Sequence, residues 1–219
     1  MTVASAPAPG AFKAPRTKYL LFAAIAVMYA YVLWTNEMFL VDAKDPEWQH
    51  IATFKWFLLP HGMAAAFALF LGPLQFSERL RRKYITAHKV MGYLYIAGAY
   101  IGAPIGIYIQ WYLERFGESR SFTLATVIDA SIWLFATTMA LYFVRQRKIQ
   151  QHRMWMTRSF ACALIFLEVR LLMTAFNLPP QQYAEMLVWA CVAAAFPIAD
   201  LVLQIEESLK QRARPVRAA

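Results

Sequence analysis

Six long blocks of mostly apolar residues divide this chain, at about Tyr19–Phe39, Phe54–Phe76, His88–Leu113, Phe122–Val144, Ser159–Phe176 and Tyr183–Ile205. At ~1.5 Å rise per helical residue, blocks of this length match tilted helices crossing a ~30 Å hydrocarbon core. The fold expected is all-α: a polytopic membrane protein of six transmembrane helices, with spans two to five as a four-helix core. Hydrophobic residues make up 60% of the chain and charged residues only 16%, and the apolar ones run in blocks rather than with a period of 2 or 3.6. Seven Trp and eleven Tyr suit the two interfacial belts, where amphipathic rings settle at headgroup depth.

The net charge of +9 argues topology rather than nucleic-acid binding, because the basic residues flank apolar blocks and do not line one amphipathic face. With a cytoplasmic N-terminus, seventeen Lys and Arg fall on the inner side, against Lys44, Lys55, Arg115 and Arg120 outside. Both termini are then cytoplasmic. Residues 1–18, rich in Pro and Ala, read as a disordered tail, residues 19–205 as the bundle, and residues 206–219 as a basic cytoplasmic tail. Cys162 and Cys191 lie within apolar segments and read as small buried hydrophobes.

Arg170 sits two residues after Glu168 inside the fifth block. A guanidinium at that depth costs at least ~2.5–3.5 kcal/mol, so it must face something polar. Counting residues from the span ends places His61, Asp129, Glu168 and Arg170 at one outer level, with Asp129 and Glu168 as carboxylates for Arg170. The plain reading is a salt-bridge knot between helices; the sharper one is a substrate, quinone or proton site. An inner level holds His88 and His152 in QQHRMWMTRS, surrounded by Asp200, Arg153, Arg158 and the Arg79–Lys83 cluster of the second loop. Gly92 lies one turn from His88, and Ala65 one turn from His61. Small neighbours leave room for a flat macrocycle beside an imidazole, and Arg153 and Arg158 supply cations for its propionates. A single interfacial His is more often simply hydrogen-bonded; His50, in a polar outer loop, reads as solvated. Gly98, Gly102 and Gly106 form a stripe expected to be a packing seam, and Pro60, Pro73, Pro104 and Pro197 fall within spans. Phosphate loops, dinucleotide fingerprints, nucleophile elbows and HExxH are missing, which weighs against hydrolase and nucleotide chemistry.

PHGMAAAFALFLGPLQF, then RLRRKYITAHKVMGYLY, then QQHRMWMTRSF with a downstream in-span Arg, resembles the bacterial predicted-membrane-protein family known as domain of unknown function 2306. The resemblance runs roughly from His61 to Arg170 and implies a multi-helix protein of the bacterial inner membrane. A looser similarity is to two-haem transmembrane b-type cytochromes and ferric reductases, whose four-helix core pairs histidines from alternate helices. Carried onto this chain, it makes His88 and His152 the inner pair and puts His61 at the outer level. The fourth span holds no His to face His61, so the similarity supports at most one bis-His haem.

The functional expectation is an integral membrane redox protein with a b-type haem at the cytoplasmic side, held by His88 and His152. Electrons would be exchanged with a quinone or small reductant near the outer cluster. Two alternatives stand beside it. One is a copper or zinc site using His61, His88 and His152 with a carboxylate; the other is a non-enzymatic transporter or assembly subunit that contacts lipids and other membrane subunits.

Overall fold

The computed structural model describes residues 16–38, 42, 44–46, 48 and 51–212, with only the backbone of residues 16–19 and 212. Most of the expected N-terminal tail, His50 and residues 213–219 lie outside the described residues. Seven α-helices follow one another: α1 Arg16–Asn36, α2 Lys55–Gln75, α3 Glu78–Lys83, α4 Ile85–Glu114, α5 Arg120–Arg145, α6 Ile149–Ala175 and α7 Pro180–Arg212. A 3-10 turn, Ile51–Thr53, precedes α2, and no strand occurs among the described residues.

Six of these helices are long. Four of them, α2, α4, α5 and α7, are apolar enough along a continuous window to cross a membrane, and no more than 33% of any such window is buried in the bundle. The remainder is an outward apolar surface that includes Trp56, Phe135 and Leu201. A soluble monomer does not expose so much, whereas lipid accepts it at no cost. The side chains of α1 are described from Leu20 onward, and α6 carries Arg153, Arg158, Glu168 and Arg170 along a length of about 40 Å at ~1.5 Å per residue.

Helices α2, α4, α5 and α6 form a closed ring in which each packs on two neighbours, so α4 and α6 occupy opposite corners. Helix α7 lies against α6 and α5, and α1 against α6, with the Tyr29 hydroxyl donating to the Leu69 carbonyl of α2 at 2.8 Å. The ring is thus spans two to five, with α1 and α7 buttressing one side.

Two devices hold the ring. Along α2 and α4 the glycine stripe meets small residues: a Cβ on Gly98 would stand 2.5 Å from the Ala64 carbonyl oxygen, and one on Gly102 would stand 3.5 Å from Ala64 Cβ. Small residues let the two backbones close, which is where dispersion replaces the hydrophobic effect in lipid. Across α4, α5 and α6 runs a buried hydrogen-bonded circuit. The Trp133 indole donates to the Tyr95 hydroxyl (3.3 Å), Tyr95 and Thr137 each share a hydrogen bond of 2.7 Å with Ser159, and Thr137 donates to the Trp133 carbonyl (2.8 Å). Each polar hydrogen finds one acceptor, so the circuit leaves nothing over for a ligand and acts as a lock.

Several expected boundaries move. Helix α6 begins at Ile149, ten residues before the apolar block, because its first turns exchange apolar burial for ion pairs to α7. His152 is consequently a helical residue rather than part of a basic loop. Arg79–Lys83 belongs to α3, capped by the Ser77 hydroxyl accepting from Leu80 N–H. Residues 206–212 continue α7 instead of opening a tail, and α1 already begins at Arg16. The four in-span prolines stay inside continuous helices.

Candidate functional site: a two-histidine cavity at the basic end

The ends of α3 and α5 and the starts of α4 and α6 bring Arg81, Lys89, Arg145 and Arg153 to one end of the bundle. There they surround a cavity of about 480 Å³, a size typical of small-molecule sites. Its apolar wall includes Phe76, Ile96, Leu141, Val144 and Met156, and Gly92 leaves one flank open. A Cβ at Gly92 would meet nothing closer than Gln75 Oε1 at 3.4 Å, so this glycine keeps the space empty rather than seating a helix contact.

His88 and His152 both line this cavity. Each is the fourth residue of its helix, α4 and α6 respectively, and these two helices stand at opposite corners of the ring. The Nδ1 of His152 lies 2.9 Å from the Ala140 carbonyl oxygen. A carbonyl only accepts, so Nδ1 carries the proton and, in the neutral ring, Nε2 keeps its lone pair. An imidazole anchored through one nitrogen to a backbone carbonyl is the arrangement that orients a metal-ligating histidine. Two further buried nitrogens at the cavity, His88 Nδ1 and Gln75 Nε2, have no hydrogen-bond partner in the protein. Buried polar atoms are nearly always paired, so two orphans in residues of one cavity wall stand out.

The two arginines singled out from the sequence are spoken for. Arg158 does not line the cavity: its Nε and Nη2 fork onto the two carboxylate oxygens of Asp200 at 2.8 and 3.2 Å, and its guanidinium stacks on Trp155. The fork geometry of a carboxylate on α7 claims it. Arg153 does line the cavity but donates to Glu206 at 2.8 Å, which also takes Lys210 at 2.7 Å. Among the described residues Arg81, Lys89 and Arg145 form no ion pair. The sequence had placed the Arg79–Lys83 cluster, and so Arg81, around the two histidines, while Lys89 and Arg145 looked like ordinary topology charges.

The outer cluster is split. Arg170 pairs with Glu37, just past the end of α1, and not with Asp129 or Glu168. The pairing ties α6 to α1, which makes the structural reading of this arginine the better one. Asp129 is 5% exposed, and one of its carboxylate oxygens has no partner; Glu168 is close enough to interact with it electrostatically. His61 lies in the α2–α4 seam, its Nδ1 donating to the Gly102 carbonyl at 2.9 Å and its ring filling the space a Cβ on Gly106 would need. His61 therefore does not join His88 and His152. Among the described residues no three His, Cys, Asp or Glu side chains are placed to hold a metal ion, which removes the three-histidine copper or zinc site as drawn. Cys162 and Cys191 are buried and free.

Residues 58–203 match the family described as predicted membrane protein (DUF2306), and the chain belongs to that family. The matched stretch covers the four-helix ring from early α2 and most of α7, and so includes the whole two-histidine cavity. No curated protein and no solved structure matches the chain.

Proposed function

We propose that this member of the predicted membrane protein (DUF2306) family is an integral membrane redox carrier that holds one b-type haem in the cavity at its basic end. His88 and His152 would hold its iron. The observation that carries the reading is the pair of imidazoles, from helices at opposite corners of the ring, lining one cavity. The Ala140 carbonyl fixes the ring of His152 and leaves Nε2 as its lone-pair nitrogen. Gly92 and the apolar wall give a flat macrocycle room and a low-dielectric bed, which is how a protein sets the potential of such a group. Haem, when bound, supplies one-electron chemistry; the chain supplies ligation, burial and charge.

The basic end lies on the cytoplasmic side of the bacterial inner membrane by the positive-inside rule. Electron exchange with a quinone or small reductant is assigned to the opposite half, where Asp129 and His61 keep unused hydrogen-bonding capacity. The test is the haem content of protein purified after haem-replete expression, assayed as the pyridine haemochrome. One b haem per chain is expected, and protein that is folded but free of haem overturns the reading.

A further inference from the structure

We infer that the anionic edge of the cavity's guest is gripped by Arg81, Lys89 and Arg145, and not by the arginines of α6. This rests on the haem reading, for which the anionic edge is the two propionates.

The argument is one of charge accounting at the cavity mouth. Four cations line the space. Arg153 is held by Glu206, a carboxylate it shares with Lys210, and Arg158, further along α6, is held outside the cavity by a two-point contact to Asp200. Among the described residues the remaining three form no ion pair. Glu78 is the one carboxylate among the described residues of the cavity wall, so it offsets one of these charges and leaves the mouth with an excess of cations. Three unpaired cations around one mouth repel each other, and that repulsion is relieved by a guest carrying two or more negative charges.

Position strengthens the assignment. Arg81 sits on α3, a six-residue helix between α2 and α4 in which the side chain of the next residue, Arg82, is 77% exposed. Arg81 is instead partly buried and close enough to act electrostatically on both His88 and His152. Arg145 is the last residue of α5, across the mouth from it. An alternative for Arg145 is simple complementarity to the helix C-terminus, and for Lys89 an interfacial position. Neither accounts for Arg81, which ends no long helix and lines the same cavity as the two imidazoles. The guest therefore lies with its apolar body toward Ile96 and Met156 and its carboxylates toward α3 and the end of α5.

The experiment compares haem b with its dimethyl ester, in which both propionates are neutral, each titrated into haem-free protein in lipid nanodiscs and followed at the Soret band. Wild type should bind haem about 10- to 100-fold more tightly than the ester, the size expected for charge-assisted contacts. Arg81→Gln with Arg145→Gln should abolish that preference while leaving ester binding unchanged. Arg153→Gln with Arg158→Gln should retain it. Equal binding of haem and ester by wild type overturns the inference and leaves the haem reading standing. So does a preference that is lost in the α6 pair and kept in the other. If folded wild type binds neither porphyrin, the haem reading fails and takes the inference with it.

Discussion

At the scale of single residues, depth along a helix is legible in the sequence and direction around it is not. Counting from span ends marked Arg170 as an in-span cation needing a partner, yet the carboxylate it meets is Glu37, 133 positions away just past the end of another helix, and its side chain is half exposed rather than buried. Which side of α6 meets α1 depends on how the bundle closes. The same limit explains Arg158, which the sequence aimed at the cavity and the fold turns toward Asp200. The Glu37–Arg170 pair makes a prediction whose sign is unusual. Glu37→Gln leaves a guanidinium unpaired and should lower stability by about 1–3 kcal/mol, less than the ~3–5 kcal/mol of a fully buried pair because 47% of the Arg170 side chain is exposed. Adding Arg170→Leu should recover most of the loss, since two neutral side chains suit a low-dielectric site better than one lone charge. Unfolding of the single and double variants in dodecylmaltoside checks this, and a double variant less stable than either single would refute it.

At the scale of elements, the spans were legible because the bilayer fixes their length, while their ends were less so. Helix α6 starts ten residues before its apolar block, at Ile149, since hydropathy does not register a turn stabilised by ion pairs to α7. The glycine stripe, by contrast, was readable as a seam: spacing four places Gly98, Gly102 and Gly106 on one face whatever the partner. Gly98→Ala should be costly, because its Cβ would meet a backbone oxygen at 2.5 Å, and backbone cannot swing aside. Overpacking of this kind is worth about 1–3 kcal/mol. Gly92→Ala, facing the cavity, should leave stability unchanged. Thermal unfolding of the two variants side by side is the measurement. Ser159→Ala breaks the buried circuit at its middle and strips a partner from both Tyr95 and Thr137. The expected loss is about 1–2 kcal/mol, with Ser159→Thr less harmful if its methyl group is accommodated.

At the scale of the whole molecule, the ring of α2, α4, α5 and α6 turns four sequence-distant segments into one site. Both histidines were visible as residues near the basic ends of their helices. What the sequence lacked was closure: only a ring that puts α4 and α6 on opposite corners makes His88 and His152 share a cavity, and the same ring leaves His61 in a seam. The topology we propose, with the basic end cytoplasmic, rests on charge asymmetry alone. It predicts that a phosphatase fused after the C-terminus is inactive and a cytoplasmic reporter there active.

The pairing of His88 with His152 is tested most directly by the reduced-minus-oxidised absorption spectrum of membranes holding wild type, His88→Ala, His152→Ala and His61→Ala at matched expression. Low-spin b-type bands are expected in wild type and in His61→Ala, and their loss is expected in each of the other two. Bands that survive removal of either cavity histidine, or that vanish only with His61, would contradict the account.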